Sequence, residues 1–170
     1  LDALEAAARQ ADAHWLRVAQ TVSRQRRQAA PALGQAVTDA MQTLGMAGGR
    51  FEVGFTDLSE PQSHGLEAVE FLVAGHAGST PRPLGKVASG GELSRLALAI
   101  AVSTTRRDAP DAQIDTLIFD EIDSGVGGQV ADTVGRLMQQ LGEGRQVLAV
   151  THLAQGAASA LVRRRWLCWL

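Results

Sequence analysis

The sequence has little of what would place it outside the cell or in a membrane. Its single cysteine, Cys168, excludes an internal disulfide and any cysteine-based metal site, and this low usage fits a reducing cytoplasm. No apolar run is long enough to cross a bilayer and no signal peptide is visible, so no membrane partner is expected. The formal net charge of −2 over 170 residues provides no overall basic field, so composition alone does not indicate a nucleic-acid ligand.

Residues 1–45 predict helices of a coiled-coil arm. Apolar residues recur at heptad spacing in its first part, at Leu1, Leu4, Ala8, Ala11, Trp15, Val18, Val22 and Ala29. The alternative is a long surface helix that packs on its own domain. Pro31 is expected to kink or restart the helix, and Gly45 is a natural stop. Because the sequence begins at Leu1 inside this pattern, we expect it to be a piece of a longer protein.

From residue 48 onward the pattern becomes that of an α/β domain. Phe51–Phe55 and Leu66–Ala74 predict an antiparallel strand pair, and the intervening Asp57–Gly65 predicts a loop. A helix is expected to begin at Gly90 and to end near Arg106. Its predicted apolar face consists of Leu93, Leu96, Ala97, Ile100 and Ala101.

A strand–helix–strand unit follows. Asp115–Phe119 and Val147–Val150 are short apolar runs of the kind found in buried parallel strands, and Gln129–Leu141 between them is helical. A crossover of this length joins parallel strands, so a parallel sheet with flanking helices is expected.

The residues Ser89-Gly90-Gly91-Glu92 open the first helix of this domain in a way that suits a phosphate. The first amides of a helix lack intrahelical partners, and the helix dipole favours an anion there. Two glycines in a first turn cost stability, which indicates that another group must approach closely. The same residues also satisfy a capping box, in which Ser89 caps the helix and Glu92 reaches back. The two interpretations are compatible.

Two carboxylates and a histidine follow neighbouring strands of the predicted parallel sheet. Asp120 and Glu121 come at the carboxyl end of a buried strand, where open α/β sheets bind ligands. Asp120 can hold Mg²⁺, and Glu121 can orient or deprotonate a water. An acidic strand end that merely faces solvent is the alternative, but Asp123 and a glycine-rich loop come next. His152 directly follows the next strand and is therefore a candidate for the same site.

A phosphate-binding loop of the form G-x-x-x-x-G-K-[ST] is absent from the sequence. The nearest candidate is Gly85-Lys86, but Thr80 stands where the first glycine should be and Val87 replaces the serine or threonine. The predicted site is therefore half of a nucleotide site.

Taken in order, these motifs resemble those of the ABC-type ATPases. Ala88–Glu92 resembles the signature motif, Leu117–Glu121 the Walker B strand with its catalytic glutamate, and Ile122–Gly128 the D-loop. Val150–His152 is similar to the switch-histidine segment. Within the superfamily, the chain most resembles the SMC-like ATPases of bacterial DNA repair.

The resemblance implies an α/β fold, the C-terminal half of an ABC/SMC-type P-loop NTPase head with a small antiparallel strand pair and a coiled-coil stub. Residues 1–45 would be the returning arm and residues 48–160 the C-terminal lobe of the head. Residues 161–170 are unlike the family's continuation, and we interpret them as an atypical tail, for which a non-native origin is favoured over the alternative of a basic membrane-surface segment. The family's phosphate loop lies in an N-terminal half-head of the same protein. Its heads form a homodimer around ATP and Mg²⁺ and act on DNA ends in break repair and recombination.

The resemblance also implies a role for each motif residue. The signature residues that would bind ATP across the dimer are Ser89, Gly90, Gly91 and Glu92. Asp120 would serve Mg²⁺, Glu121 the attacking water, Asp123 the subunit interface, and His152 would sense the γ-phosphate. The intact protein would be a cytoplasmic, nucleoid-associated ATPase, and this piece alone is expected to be inactive. Another SMC or ABC ATPase, or a non-catalytic dimerisation module, is the alternative.

Overall fold

The structure is a computed structural model that describes residues 2–86, 89–105, 115–143 and 145–150, and the backbone of 168–169. In chain order its elements are helix α1 (Asp2–Thr43), strands β1 (Arg50–Gln62), β2 (Gly65–Ala74) and β3 (Arg82–Pro83), a 3-10 turn (Leu84–Lys86), helix α2 (Gly90–Thr104), strand β4 (Thr116–Phe119), helix α3 (Gly128–Leu141), and strands β5 (Gln146–Val150) and β6 (Cys168–Trp169). The strands form an antiparallel sheet, β1-β2-β3, and a parallel sheet, β4-β5-β6. The α/β class and both predicted strand pairings are confirmed. No described helix is long and apolar enough to span a membrane.

Helix α1 is one uninterrupted helix of 42 residues, about 63 Å long at 1.5 Å per residue. Pro31 lies inside it, although proline removes a helical hydrogen bond. The predicted restart at Pro31 therefore does not occur. Tertiary contacts on both sides of Pro31 explain this continuity. Arg27 binds the first sheet before it, and Gly34 lies so close to β1 after it that an added Cβ would be 3.3 Å from the Phe51 carbonyl oxygen.

The two ends of α1 differ in their environment. Residues 2–14 are all exposed, including Leu4 with 76% of its surface accessible. Near the other end, Val37 and Met41 are fully buried, as is Leu44 just beyond the helix. The first turns therefore project away from the described core, and their coiled-coil pairing remains a prediction. The predicted stop is confirmed, because Gly45 follows the helix with a φ of +76°.

The β1–β2 hairpin is longer than the sequence predicted. Asp57–Gly65 was expected to be a loop, but β1 continues to Gln62 and only two residues separate it from β2. The register shifts between Asp57 and Gln62, so this stretch is an irregular part of the strand. Pro61 is tolerated because β1 is an edge strand, where a missing N–H breaks no ladder on the open side.

Two consecutive arginines attach α1 to this hairpin. Arg26 donates hydrogen bonds to the His64 carbonyl and to the Glu67 carboxylate, all at 3.2 Å. Arg27 binds the Asp57 carboxylate at 2.5 Å, and its guanidinium lies 4.9 Å from the centre of the Phe55 ring. These contacts fix the helix across the hairpin at the level where it leaves the core.

Glu67 makes this attachment sensitive to acid. Its side chain is only 1% exposed, and a hydrogen bond from Ser23, helped by Arg26, holds the pKa of the carboxyl below its usual value of 4.5. A carboxyl whose folded pKa is lowered stabilises the fold above its unfolded pKa, and this contribution is lost as the pH falls through the folded pKa.

We expect the free energy of unfolding of the chain to fall as the pH drops from about 6 to about 3, and Glu67→Gln to reduce the slope of that fall. Denaturant titrations at several pH values measure both slopes. The matched control is Glu60→Gln, since Glu60 is exposed on β1. Equal slopes for the two variants would contradict the assignment.

Helix α2 contacts both α1 and α3, and its buried face differs from the one predicted. Leu96 is buried as expected, but Leu93 is 43% exposed, while Leu98 and Ala99 are fully buried. The predicted apolar face assumed that α2 packs against its surroundings along one side only. In the structure α2 has packing partners on two sides, α1 and α3, so a different set of residues is buried. The hydrophobic core draws on both sheets and all three helices and includes Val37, Met41, Leu44, Phe51, Leu96, Leu98, Phe119, Val134, Met138 and Val147.

The parallel sheet has one covered and one open face among the described residues. Phe119 on β4 and Val147 on β5 point into the core, at 5% and 0% exposure. The opposite face carries Ile118, which is 70% exposed and is paired with Leu148, and also Val150 at 38%. Strands of a parallel sheet are normally covered on both faces. This face, called the open sheet face below, therefore lacks its usual partner in the described part of the chain.

Candidate functional site

The N-terminus of α2 forms the serine cap that the sequence predicted, but not the reciprocal contact from Glu92. Ser89 has an extended backbone and its hydroxyl accepts a hydrogen bond from the Glu92 N–H at 3.2 Å, which caps the helix. Among the described contacts there is no reciprocal hydrogen bond from Glu92 back to Ser89, so only half of the capping box forms. Ser89 and Gly90 are both exposed. Their backbone is therefore open to a ligand from solvent.

The carboxylates lie beside this helix start. Asp120 and Glu121 directly follow β4, and both are exposed. Glu121 has a φ of +52°, a left-handed conformation that is uncommon outside glycine. A Cβ added at Gly90 would lie 2.9 Å from the Glu121 Oε2 atom. The structure thus brings the signature-like loop and the acidic strand end together within one chain.

The paired glycines have a packing role that the sequence did not reveal. A Cβ at Gly91 would lie 2.9 Å from the Ser124 Cβ and 3.0 Å from its carbonyl oxygen, and Gly91 is buried. The sequence suggested that the missing side chains make room for a phosphate. In the folded chain the same space is needed by Glu121 and Ser124, whether or not a ligand is present.

Asp123 lies in a tight turn after the carboxylates. The Ser124 N–H donates to the Glu121 carbonyl at 3.0 Å, and the Val126 N–H to the Asp123 carbonyl at 3.4 Å. Gly125 has a φ of +72°, a left-handed conformation that favours glycine at this point of the turn. The Asp123 side chain is only 5% exposed, so it contributes to the interior of its own chain. Its predicted place at a subunit interface remains a prediction.

His152 lies outside the described residues. Its strand, β5, ends at Val150, and Ala149 pairs with Phe119, the residue before Asp120. The two strands therefore end side by side, as the sequence predicted.

The carboxylates at this site suit a Mg²⁺ ion that is bound together with a phosphate-containing substrate. No cluster of three or more histidine, cysteine, aspartate or glutamate side chains that could hold a metal occurs in the described ranges. Magnesium at phosphate sites typically takes one or two carboxylates, with waters and phosphate oxygens completing the octahedron. An exposed Asp120 at a strand end suits that mode.

Two further side chains contribute to this region and were not predicted from the sequence. The Ser94 hydroxyl donates to the Asp120 carbonyl, and the Arg95 guanidinium donates to the Ser124 carbonyl at 2.8 Å. The sequence contains a spacing that could have indicated Arg95. Arg95 follows Gly91 by four residues and precedes Leu98 by three, which places all three on one side of the helix, and that side is buried.

Comparison with known proteins identifies the family. No family model matches the chain. The chain is 44% identical over 146 residues to the DNA repair protein RecN of Xylella fastidiosa and 47% over 138 residues to that of Haemophilus influenzae. These matches cover 85% and 81% of this chain. RecN of Treponema pallidum is 39% identical over 94% of the chain. The chain spans about a quarter of these relatives, from 24% to 28% of their length.

The solved structures agree on the fold. The Smc head domain of Pyrococcus furiosus, with an extended coiled coil and bound to the C-terminal domain of ScpA, superposes with a TM-score of 0.52 at 20% identity. That match covers 76% of this chain and 30% of the Smc chain. A second Smc head, bound to the C-winged helix domain of ScpA, gives the same TM-score over 78% of this chain and 38% of the other. By sequence similarity the chain belongs to the RecN family, and its fold is that of an SMC head.

Proposed function

We propose that this chain is the C-terminal lobe of an ATPase head that hydrolyses ATP between two dimerised copies during DNA double-strand-break repair and recombination. The observation that carries the proposal is the juxtaposition of an open, capped helix N-terminus at Ser89–Gly90 with the exposed carboxylates Asp120 and Glu121. In a dimer this arrangement offers the anion site to the nucleotide of the partner copy and the two acids to the chain's own nucleotide, where they suit chemistry on a phosphate whose charge a cation offsets.

Each residue has a role in this reaction. The signature residues that bind the triphosphate of the partner copy are Ser89, Gly90 and Gly91, and Glu92 supports the loop through the hydrogen bond from its N–H to the Ser89 hydroxyl. Gly91 has no side chain and is buried against Ser124, so its contact with the triphosphate is through its backbone N–H. Asp120 holds Mg²⁺, which neutralises charge on the phosphate oxygens, while Glu121 orients and deprotonates the attacking water. Asp123 supports the turn at the interface, and His152 contacts the γ-phosphate.

The missing half of the site comes from an N-terminal half-head of the same protein. No phosphate loop occurs in the sequence, so the chain alone does not hydrolyse ATP. The open sheet face, and the edge of β4 that pairs with no strand among the described residues, offer a place for the strand and helix that carry that loop. The intact protein acts on DNA ends.

The proposal is tested in a head chimera, in which this chain replaces the matching region of the Xylella fastidiosa relative. Ser89→Asp keeps a good N-cap residue but adds a negative charge where the triphosphate docks. We expect ATP hydrolysis to fall about fivefold or more, since like charges about 4 Å apart repel by about 1–4 kcal/mol in a wet site. The unfolding midpoint should stay the same.

The matched control is Ser63→Asp in the exposed hairpin turn, which should hydrolyse ATP as the unmodified head chimera does. Equal activity of both variants would contradict the phosphate role of Ser89. A folded head chimera that binds ATP but does not hydrolyse it would instead favour a non-catalytic dimerisation module.

A further inference from the structure

Arg95 is a buried cation that the proposed chemistry does not use. It lies one turn into α2 and is 6% exposed. Its Nη1 atom donates to the Ser124 carbonyl at 2.8 Å, and its Nε atom has no hydrogen-bond partner among the described residues. Burial lowers the pKa of the guanidinium, with Glu92 opposing the shift, yet an arginine remains charged in proteins. A charge buried against one carbonyl is a poor device for stability alone.

The contacts around Arg95 join two segments that are distant in sequence. Arg95 and Ser124 are 29 positions apart, and the neighbouring pair Ser94 and Asp120 is 26 apart. The Arg95 Nη1 atom would also lie 3.2 Å from a Cβ at Gly91, so it fills the groove between the glycine loop and the turn. The helix start and the acidic turn are therefore held as one unit.

This unit also restrains the conformation of Glu121. A non-glycine residue at φ +52° persists where its surroundings determine it. Ser124 provides one restraint, because its N–H binds the Glu121 carbonyl while its own carbonyl is held by Arg95. Removing the guanidinium would free the turn to relax and would let the Glu121 carboxylate move from its place beside Gly90.

We infer that Arg95 is a positioning residue that couples the Ser89–Gly91 loop to Glu121, so that a nucleotide docking on the loop from one copy sets the carboxylate serving the other nucleotide. The inference rests on the proposed function, in which the loop acts across the dimer and Glu121 acts within its own copy. The coupling needs no movement of the bulk of the head, because the Glu121 carboxylate already lies beside Gly90, where it occupies the space of a side chain.

The test uses the head chimera with Arg95→Met, which keeps the length of the side chain and removes its donors. We expect kcat to fall about 10- to 100-fold, as a small misplacement of a catalytic group does, while the Kd for ATP changes by less than about twofold. Arg95→Lys retains a donor and a charge and should recover part of the lost kcat. Arg136→Met, an exposed arginine of α3, is the matched control.

The outcomes separate this inference from the proposed function. If Arg95→Met keeps the kcat of the unmodified head chimera, or if its kcat falls only as far as its folded fraction, measured by circular dichroism, the positioning role is wrong while the ATPase stands. If the unmodified head chimera itself hydrolyses no ATP, the proposed function fails first. If Arg95→Lys is folded but has a kcat as low as that of Arg95→Met, a donor and a positive charge at this position do not restore catalysis, and the positioning role is wrong.

Discussion

Glu121→Gln is expected to abolish ATP hydrolysis by the head chimera and to leave ATP-dependent association of heads intact. Glutamine matches glutamate in shape but cannot accept a proton from water, and a positioned general base contributes about 10²–10⁴-fold to such rates. Glu121 is exposed and makes no ion pair with the described residues, so the fold should not depend on its charge. Steady-state hydrolysis and size-exclusion chromatography with ATP measure the two effects.

The matched control for this variant is Glu143→Gln, an exposed glutamate in the turn after α3. It should leave both hydrolysis and association unchanged. If Glu121→Gln hydrolyses ATP at the rate of the control, the water-activating group lies elsewhere and the assignment of Glu121 is wrong. If the Glu121→Gln variant also loses ATP-dependent association, the Glu121 carboxylate is needed for the structure of the Ser89–Gly91 loop. This carboxylate lies beside Gly90.

Ile118→Asp is expected to prevent the chain from assembling with a separately produced N-terminal part of the Xylella fastidiosa relative. Ile118 is 70% exposed on the open sheet face, so a charge there costs the chain alone little. On assembly the same charge would be buried without a partner, which costs several kcal/mol and lowers the affinity by about a thousandfold or more. Co-purification and restored ATP hydrolysis report assembly.

Two variants make this experiment specific. Ile118→Val keeps an apolar side chain at the same position and should assemble normally. Val69→Asp places a charge on another exposed apolar residue, on β2 of the antiparallel sheet, and tests for a general effect of added charge. Normal assembly of Ile118→Asp would mean that the open sheet face is not where the missing half docks.

The local sequence pattern predicted most of the helices and strands of the parallel sheet and its surroundings. Helix α2 begins at Gly90 as expected, because a serine cap and a change to helical periodicity mark that point. Strands β4 and β5 were predicted to within a residue or so, since short apolar runs around a helix of fixed length leave few alternatives. The candidate site followed from the same patterns, because parallel strands end at one edge of a sheet.

The predictions from sequence were wrong where tertiary packing outweighs the local secondary-structure preference of the residues. The stretch from Asp57 to Gln62 is polar and contains proline, yet it continues as an irregular edge strand because its two ends are held by β2, Asp57 opposite Glu67 and Gln62 opposite Gly65. The apolar face of α2 was displaced because the helix is packed from two sides. Pro31 did not end α1, since contacts to β1 and the hairpin hold both flanking turns.

The sequence by itself determined the order of the motifs, the start of α2 and the absence of a phosphate loop, all of which depend on residue types at fixed spacing. Only the tertiary structure decided that Gly90 and Gly91 pack on Glu121 and Ser124, that Arg95 joins the loop to the acidic turn, and that one face of the parallel sheet is open. These features depend on distances between residues more than twenty-five positions apart. Such distances are set by how helices and sheets pack, which no local pattern encodes.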